Sequence, residues 1–319
     1  MSERPANLLA SHMRHPPRIR LPSDPFEFVW RVRKAGHAWV SARPFGQYES
    51  SGPKRGKSKQ GHAFEEEAAR PVRCLTNDVP PGREIGPVKV YKPLSHPALF
   101  LDFAETEPTE AGVLVFANKW GMLLGAHGDL IKLAEPDANG EHAVVPGEQG
   151  GLWHDEILAM REARDLWGAV RDPSPNALKG LVGWESHRVA YVRGAFKATI
   201  VDERAQPDLW ARLARDDLRK PAQLYLQRLA NDHMHGHASP ALLFDRHLVQ
   251  MGLYVVPHTM LGALWLQFLR AVDGDRTYRR CRACRRWCEV GSEAKRMNSW
   301  CCRATCRMRL TRIGNRRGG

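Results

Sequence analysis

The rhythm of apolar positions changes along this chain near residue 97. Before it, short apolar runs alternate with polar residues. FEFVWRV, HAWVSARPF and VKVYKPL read as strands set among glycines and prolines. Between them SSGPKRGKSKQGH is polar and basic and reads as a loop, and residues 1 to about 25 read as a loose, proline-rich tail. From HPALFLDFAET onward the spacing turns helical. In EAGVLVFANKWGMLL, Val113, Val115, Phe116 and Trp120 recur at helical intervals, and a glycine follows. LWHDEILAMREARDLWGAVRD is the clearest helix, with Trp153, Ile157, Met160, Leu166, Trp167 and Val170 mainly on one side. DLWARLARDDLRKPAQLYLQRLANDHM is helical in pattern with a break near Pro221. Residues 128 to 150 read as loop, LKGLVGWESHRVAYVRG as strand, ALLFDRHLVQMGLYVVP as two short strands around a turn, and HTMLGALWLQFLRAV as an amphipathic helix.

The longest apolar stretch, MGLYVVPHTMLGALWLQFL, is broken by Pro257 and His258, so it reads as a strand and a buried helix rather than a membrane span. No repeat of solenoid period is visible. The expectation is an α+β protein whose body is mainly helical. Residues 1–95 form a partly flexible region of short strands and loops, 96–277 the helical body, and 278–319 a small C-terminal unit. The tryptophan-rich helices suit a core or a homodimer face equally.

Charge changes this picture at one end only. The 319-residue chain carries a net charge of +13. Between Tyr278 and Gly319 there are 13 Lys/Arg against 2 Glu, a net of +11, which leaves +2 for everything before. Of those 13 bases 12 are arginine, whose forked donors match phosphate oxygens and guanine edges. A field this local points to a polyanion, most often nucleic acid. MSERPANLLASHMRHPPRIR lacks the apolar core of a signal peptide, so the expected address is the reducing cytoplasm, with no membrane partner.

The same end holds six of the seven cysteines, in CRACRRWCEVGSEAKRMNSWCCRATC. In a reducing compartment such a cluster binds metal more often than it forms disulfides. Cys281 and Cys284 form the CxxC of a knuckle turn. Cys302 and Cys306 are four apart, share a helix face, and complete a four-thiolate zinc site across a 17-residue segment. Cys301 is the rival of Cys302 for the third ligand, and Cys288 reads as apolar filler behind Trp287. Knuckle first and helix second is the order of a treble-clef-like finger. About 40 arginine-rich residues bury too little to fold alone, so Zn2+ supplies the missing free energy. Arg303, Arg307, Arg309 and Arg312 on the last helix, with Arg316 and Arg317 in the tail, are the expected nucleic-acid contacts, with double-stranded DNA the expected partner.

RCRACRRWCEV and SWCCRATCRMRLTR resemble the CGNR-type zinc fingers and related bacterial fingers. The upstream ALFLDFAET, with a helix ending in a Trp-Gly turn, resembles the start of the ABATE-type domain that accompanies them. The resemblance spans roughly residues 97 to 312 and is closest in the finger. Cys281, Cys284 and Cys306 match the family's metal positions, while Cys302 and Cys301 match its two variant forms. The namesake tetrapeptide is absent, since Arg307-Met308-Arg309 follows Cys306. The resemblance implies a bacterial transcriptional regulator whose helical domain senses a small ligand or stress. The competing expectation is a zinc-stabilised protein-interaction module that does not bind nucleic acid.

Other motifs carry less. GPKRGKS is one residue short of a P-loop and follows no apolar strand. His233, His235 and His237 in HMHGH read as a polar loop after a helix. Asp102 and Glu105 read as helix-end or solvated carboxylates, and His154, Asp155 and Glu156 as charges at a helix start. No recognisable catalytic constellation stands out.

Overall fold

The computed structural model describes residues 28–44, 71–77, 87–96, 98–136, 140, 142–193, 196–244, 251–290, 305, 306 and 308. The chain opens with strands β1 (Trp30–Arg33), β2 (His37–Pro44), β3 (Val72–Asn77) and β4 (Val88–Tyr91). Helices α1 (Leu99–Ala104) and α2 (Glu110–Trp120) follow, then β5 (Asp129–Leu133), β6 (Val144–Gln149), the long α3 (Gly150–Arg171) and the single turn α4 (Asn176–Lys179). Strands β7 (Val182–Trp184), β8 (Arg188–Arg193) and β9 (Phe196–Asp202) form an antiparallel meander. Helices α5 (Pro207–Ala211) and α6 (Arg219–Met234) lead to the ribbon of β10 (Ala238–Phe244) and β11 (Met251–Pro257). Helix α7 (Met260–Asp273) runs into the last hairpin, β12 (Thr277–Arg280) and β13 (Trp287–Val290).

The expected mainly helical body is not what forms: the described residues are about 40% helix and 32% strand. The extra sheet lies where the sequence read as loop. β5 and β6 pair with each other and with β2 and β3, closing a small antiparallel barrel in the order β2-β3-β6-β5. Strands from both sides of residue 95 thus share one barrel. Its interior is narrow, filled by Ala42, Cys74 and Ile131. A Cβ at Gly147 would lie 2.2 Å from Ile131 Cδ1, so any side chain there would displace Ile131 from the barrel interior.

The main core lies among α1, α2, α3, α6 and α7, with Trp30 and Val32 of β1 and Val189 and Tyr191 of β8 packed into it. Helix α3 buries Trp153, Ile157, Met160 and Leu166, as their spacing predicts. Helix α2 ends at Gly121, whose φ of +93° suits glycine and whose position lies against Trp30. Pro221 sits in the first turn of α6, where no intrahelical N–H is needed, and α5 ends well before it. Helix α7 is buried nearly all round rather than on one face. Its Thr259 cap accepts from the Gly262 N–H at 3.0 Å. Its buried Gln267 donates to the carbonyls of Pro93 (2.9 Å) and His96 (2.7 Å), which fastens the start of α1. No helix among the described residues is long and apolar enough to cross a membrane.

Candidate metal centre

Three residues after α7, β12 and β13 pair with Arg280 opposite Trp287, and the six residues from Cys281 to Arg286 turn between them. The turn is closed by two backbone bonds, Arg285 N–H to the Cys281 carbonyl and Cys281 N–H to the Arg286 carbonyl, each 2.8 Å. Arg285 takes a left-handed φ of +60°. That conformation costs an L-residue about 1–2 kcal/mol, and a ligand that needs the turn can offset it. The fold brings Cys306, in a short helical stretch with Thr305, back over this turn. The Sγ atoms of Cys281, Cys284 and Cys306 all lie within 4.8 Å of one another, and none forms a disulfide. Three thiolates about one tetrahedral ion stand about 3.8 Å apart, so a small contraction completes the set. These three cysteines can hold a metal ion, and among the described residues no other group of metal-ligating side chains gathers in this way.

Cys281 is fully buried, and Cys288 beside it is buried too, its Sγ donating to the Arg279 carbonyl at 3.3 Å. Cys288 is therefore packing, as its position behind Trp287 predicts. Cys301, Cys302, Arg303, Arg307, Arg309, Arg312, Arg316 and Arg317 lie outside the described residues, as does GPKRGKS.

The hairpin is clamped to the body through a carboxylate that read as a helix-end or solvated charge and is instead engaged. Glu105, just past α1, accepts from the Arg280 guanidinium and from Trp287 Nε1 (3.1 Å), while the guanidinium lies over the Trp287 ring, 4.9 Å from its centroid. Arg280 also donates to the Arg285 carbonyl at 2.8 Å, tying this clamp to the cysteine turn. Tyr278 packs edge-on against Phe100 at 5.5 Å, and burial pushes its phenol up to about 12. Arg171 of α3 pairs with Asp275 (2.9 Å) and donates to Thr277 Oγ1 (2.8 Å). Glu105→Ala should loosen the hairpin by about 1–2 kcal/mol, a modest amount because the pair is partly exposed. Faster hydrogen exchange over residues 277–290, with α3 unchanged, is the expected readout.

A comparison with known protein families, curated proteins and solved structures found no match. The chemistry of the site thus rests on its own geometry.

The other candidates do not assemble a site. His233, His235 and His237 are not gathered; His233 instead donates to Glu156 at 2.9 Å and stacks on Trp265 at 5.0 Å. Burial opposes the charged form of His233, but the Glu156 contact outweighs it and the pKa rises; His237 goes down through burial. Glu156 is not an exposed helix-start charge. It is buried and also accepts from Trp265 Nε1 at 3.1 Å. Asp102 stands 3.9 Å from Lys119.

Proposed function

We propose that this chain is a zinc-dependent nucleic-acid-binding protein, with duplex DNA as its partner and regulation of transcription as its role. The observation that supports it is the convergence of Cys281, Cys284 and Cys306 beneath a turn whose exposed side chains are Arg282, Arg285 and Arg286. A thiolate set selects a soft or borderline ion, and Zn2+ suits a closed structural site. The ion would fix the turn, and the turn would present its guanidinium groups at set positions, the arrangement that phosphate oxygens reward. In this reading the fourth ligand is Cys302 or Cys301, and the arginines from Arg303 onward extend the same basic surface. The chain would work in a reducing cytoplasm, where thiolates stay available to metal.

The test is fluorescence anisotropy of the metal-loaded protein against random-sequence duplex DNA over a salt series. Binding that weakens steeply with salt and vanishes on chelation is the expected result. Flat or absent binding at 50 mM salt would leave the arginines without a polyanion partner. One observation favours the second reading, a zinc-stabilised interaction module: Arg276 and Arg280 are committed to Glu289 and Glu105 within the protein. In that case the finger caps the body, and duplex DNA is ignored at every salt concentration.

A further inference from the structure

Beside the cysteine turn, the body carries a second set of cations held on aromatic rings. Trp120, the last residue of α2, lies 5.5 Å from Tyr91 of β4 and 4.8 Å from His96, ring centre to ring centre. The Lys119 ammonium stands 4.6 Å from the Trp120 ring, and that of Lys89 5.8 Å from it and 5.4 Å from Tyr91. Two ammonium groups from separate elements therefore sit over one indole, and the negative ring face holds them in place. The tyrosine hydroxyl donates to the Trp120 carbonyl, which fixes the rings to each other.

Arg286 completes the set from the finger side. It is an exposed residue of the cysteine turn, its backbone carbonyl accepts from the Cys281 N–H, and the hairpin that carries it is held at Glu105, three residues from the Asp102 that stands by Lys119. His96 registers all three cations: burial first, then the charges of Lys89, Arg286 and Lys119, drive its pKa down, with only Asp102 opposing. Among the described residues, the two ammonium groups over Trp120 face one carboxylate, Asp102, at 3.9 Å from Lys119. Like charges gathered in this way repel, and a polyanion relieves the repulsion.

We infer that the body and the cysteine turn share one phosphate-binding face, made by Lys89 and Lys119 over Trp120 with Arg286 of the turn, and that it takes the backbone of a nucleic-acid duplex. This rests on the nucleic-acid reading above and adds the body to the contact surface. Duplex rather than single strand follows from the rings. Trp120 is only 8% exposed and covered by lysines, so it offers no face on which an unpaired base could stack. What remains is a set of point charges, which track phosphates without reading bases.

The test uses the full metal-loaded chain and a labelled random-sequence 20-base-pair DNA, with the slope of log affinity against log salt as the readout. Lys89→Gln/Lys119→Gln should lessen that slope by about two and weaken binding on the order of 10- to 100-fold at 0.1 M salt. Lys89→Arg/Lys119→Arg should keep the parent slope. Lys132→Gln/Lys220→Gln, which removes the same charge from β5 and α6, should lower the slope far less. Metal content and melting temperature monitor folding. Should the Gln double variant lose either, Lys89→Gln alone, expected to lower the slope by about one, carries the test. An unchanged slope, or an equal loss in the β5/α6 control, overturns this face but leaves the finger as a DNA reader. Tighter binding of the single strand than of the duplex overturns the duplex assignment. Absence of binding by the parent protein overturns the nucleic-acid reading, and this face with it.

Discussion

Cys281→Ala is expected to abolish stoichiometric metal binding and to unfold the C-terminal hairpin while the body stays folded. Cys281 is the most buried of the three gathered thiols and the residue on which both closing backbone bonds of the turn meet. Without its sulfur the set falls to two described ligands, and the left-handed Arg285 loses the interaction that offsets its strain. In small fingers metal binding supplies on the order of 10 kcal/mol of folding free energy, more than a hairpin of this size gains by burial. The loss should stay local. Tyr278 and Trp287 are the side chains of β12 and β13 that pack against the main core, and both are only partly buried. Native mass spectrometry should show one ion per parent chain and none on the variant. Hydrogen exchange should speed up over residues 277–290 and stay slow in α7. A variant that keeps one equivalent of metal would sink the three-cysteine site.

Glu148→Ala is expected to cost about 3–6 kcal/mol, a large share of the stability of an ordinary domain. The Glu148 side chain is 1% exposed and accepts from the backbone N–H groups of Leu123 (3.0 Å), Leu124 (2.5 Å) and Gly125 (3.0 Å). It stands in for the acceptors that this turn cannot find elsewhere, and alanine would leave three donors orphaned beside the barrel. The same residue makes stability depend on pH. Burial pushes its carboxyl up to about 7, against the pull of the three N–H donors. Between the ordinary 4.5 and 7 the folded chain holds a proton that the unfolded chain has released. This contribution is therefore complete below about pH 4.5 and is lost as pH rises to about 7, a decline of about 3 kcal/mol. Glu148→Gln, neutral at every pH, should flatten that decline. Denaturant midpoints for parent and variant at pH 5 and pH 7 give the comparison, and identical pH dependence in both would refute the assignment.

How much of this was legible in the sequence follows from which signals are rare. Cysteines are scarce, so a CxxC followed by further cysteines at ligand spacing stands out, and Cys281, Cys284 and Cys306 do meet. Helix α3 was legible because 22 residues repeat its apolar stripe many times. The barrel was not. β5 is five residues long and β6 contains Pro146 and Gly147, so neither shows enough alternation to outweigh its turn-like composition. Glu105, Glu148 and Glu156 were illegible for another reason. Nothing in the local pattern tells a solvated glutamate from one whose partners lie 23 to 182 positions away. The lysines over Trp120 share this property, since the sequence does not show which strand will be laid across a helix end.

The barrel also dictates an order of events while the chain is being made. β2 and β3 emerge first, yet each also needs a partner from the segment that ends at Gln149. At synthesis rates of about 5–20 residues per second, their outer edges wait several seconds for β5 and β6 to emerge. During that interval Trp39 and Leu75 lie on a two-stranded ribbon too small to be stable alone. The β2 and β3 edges are thus exposed to mispairing at birth. A ribosome stalled with β2 and β3 outside the exit tunnel and β5 and β6 still inside it would hold a nascent chain that chaperones bind and proteases cut, and emergence of β6 would protect it.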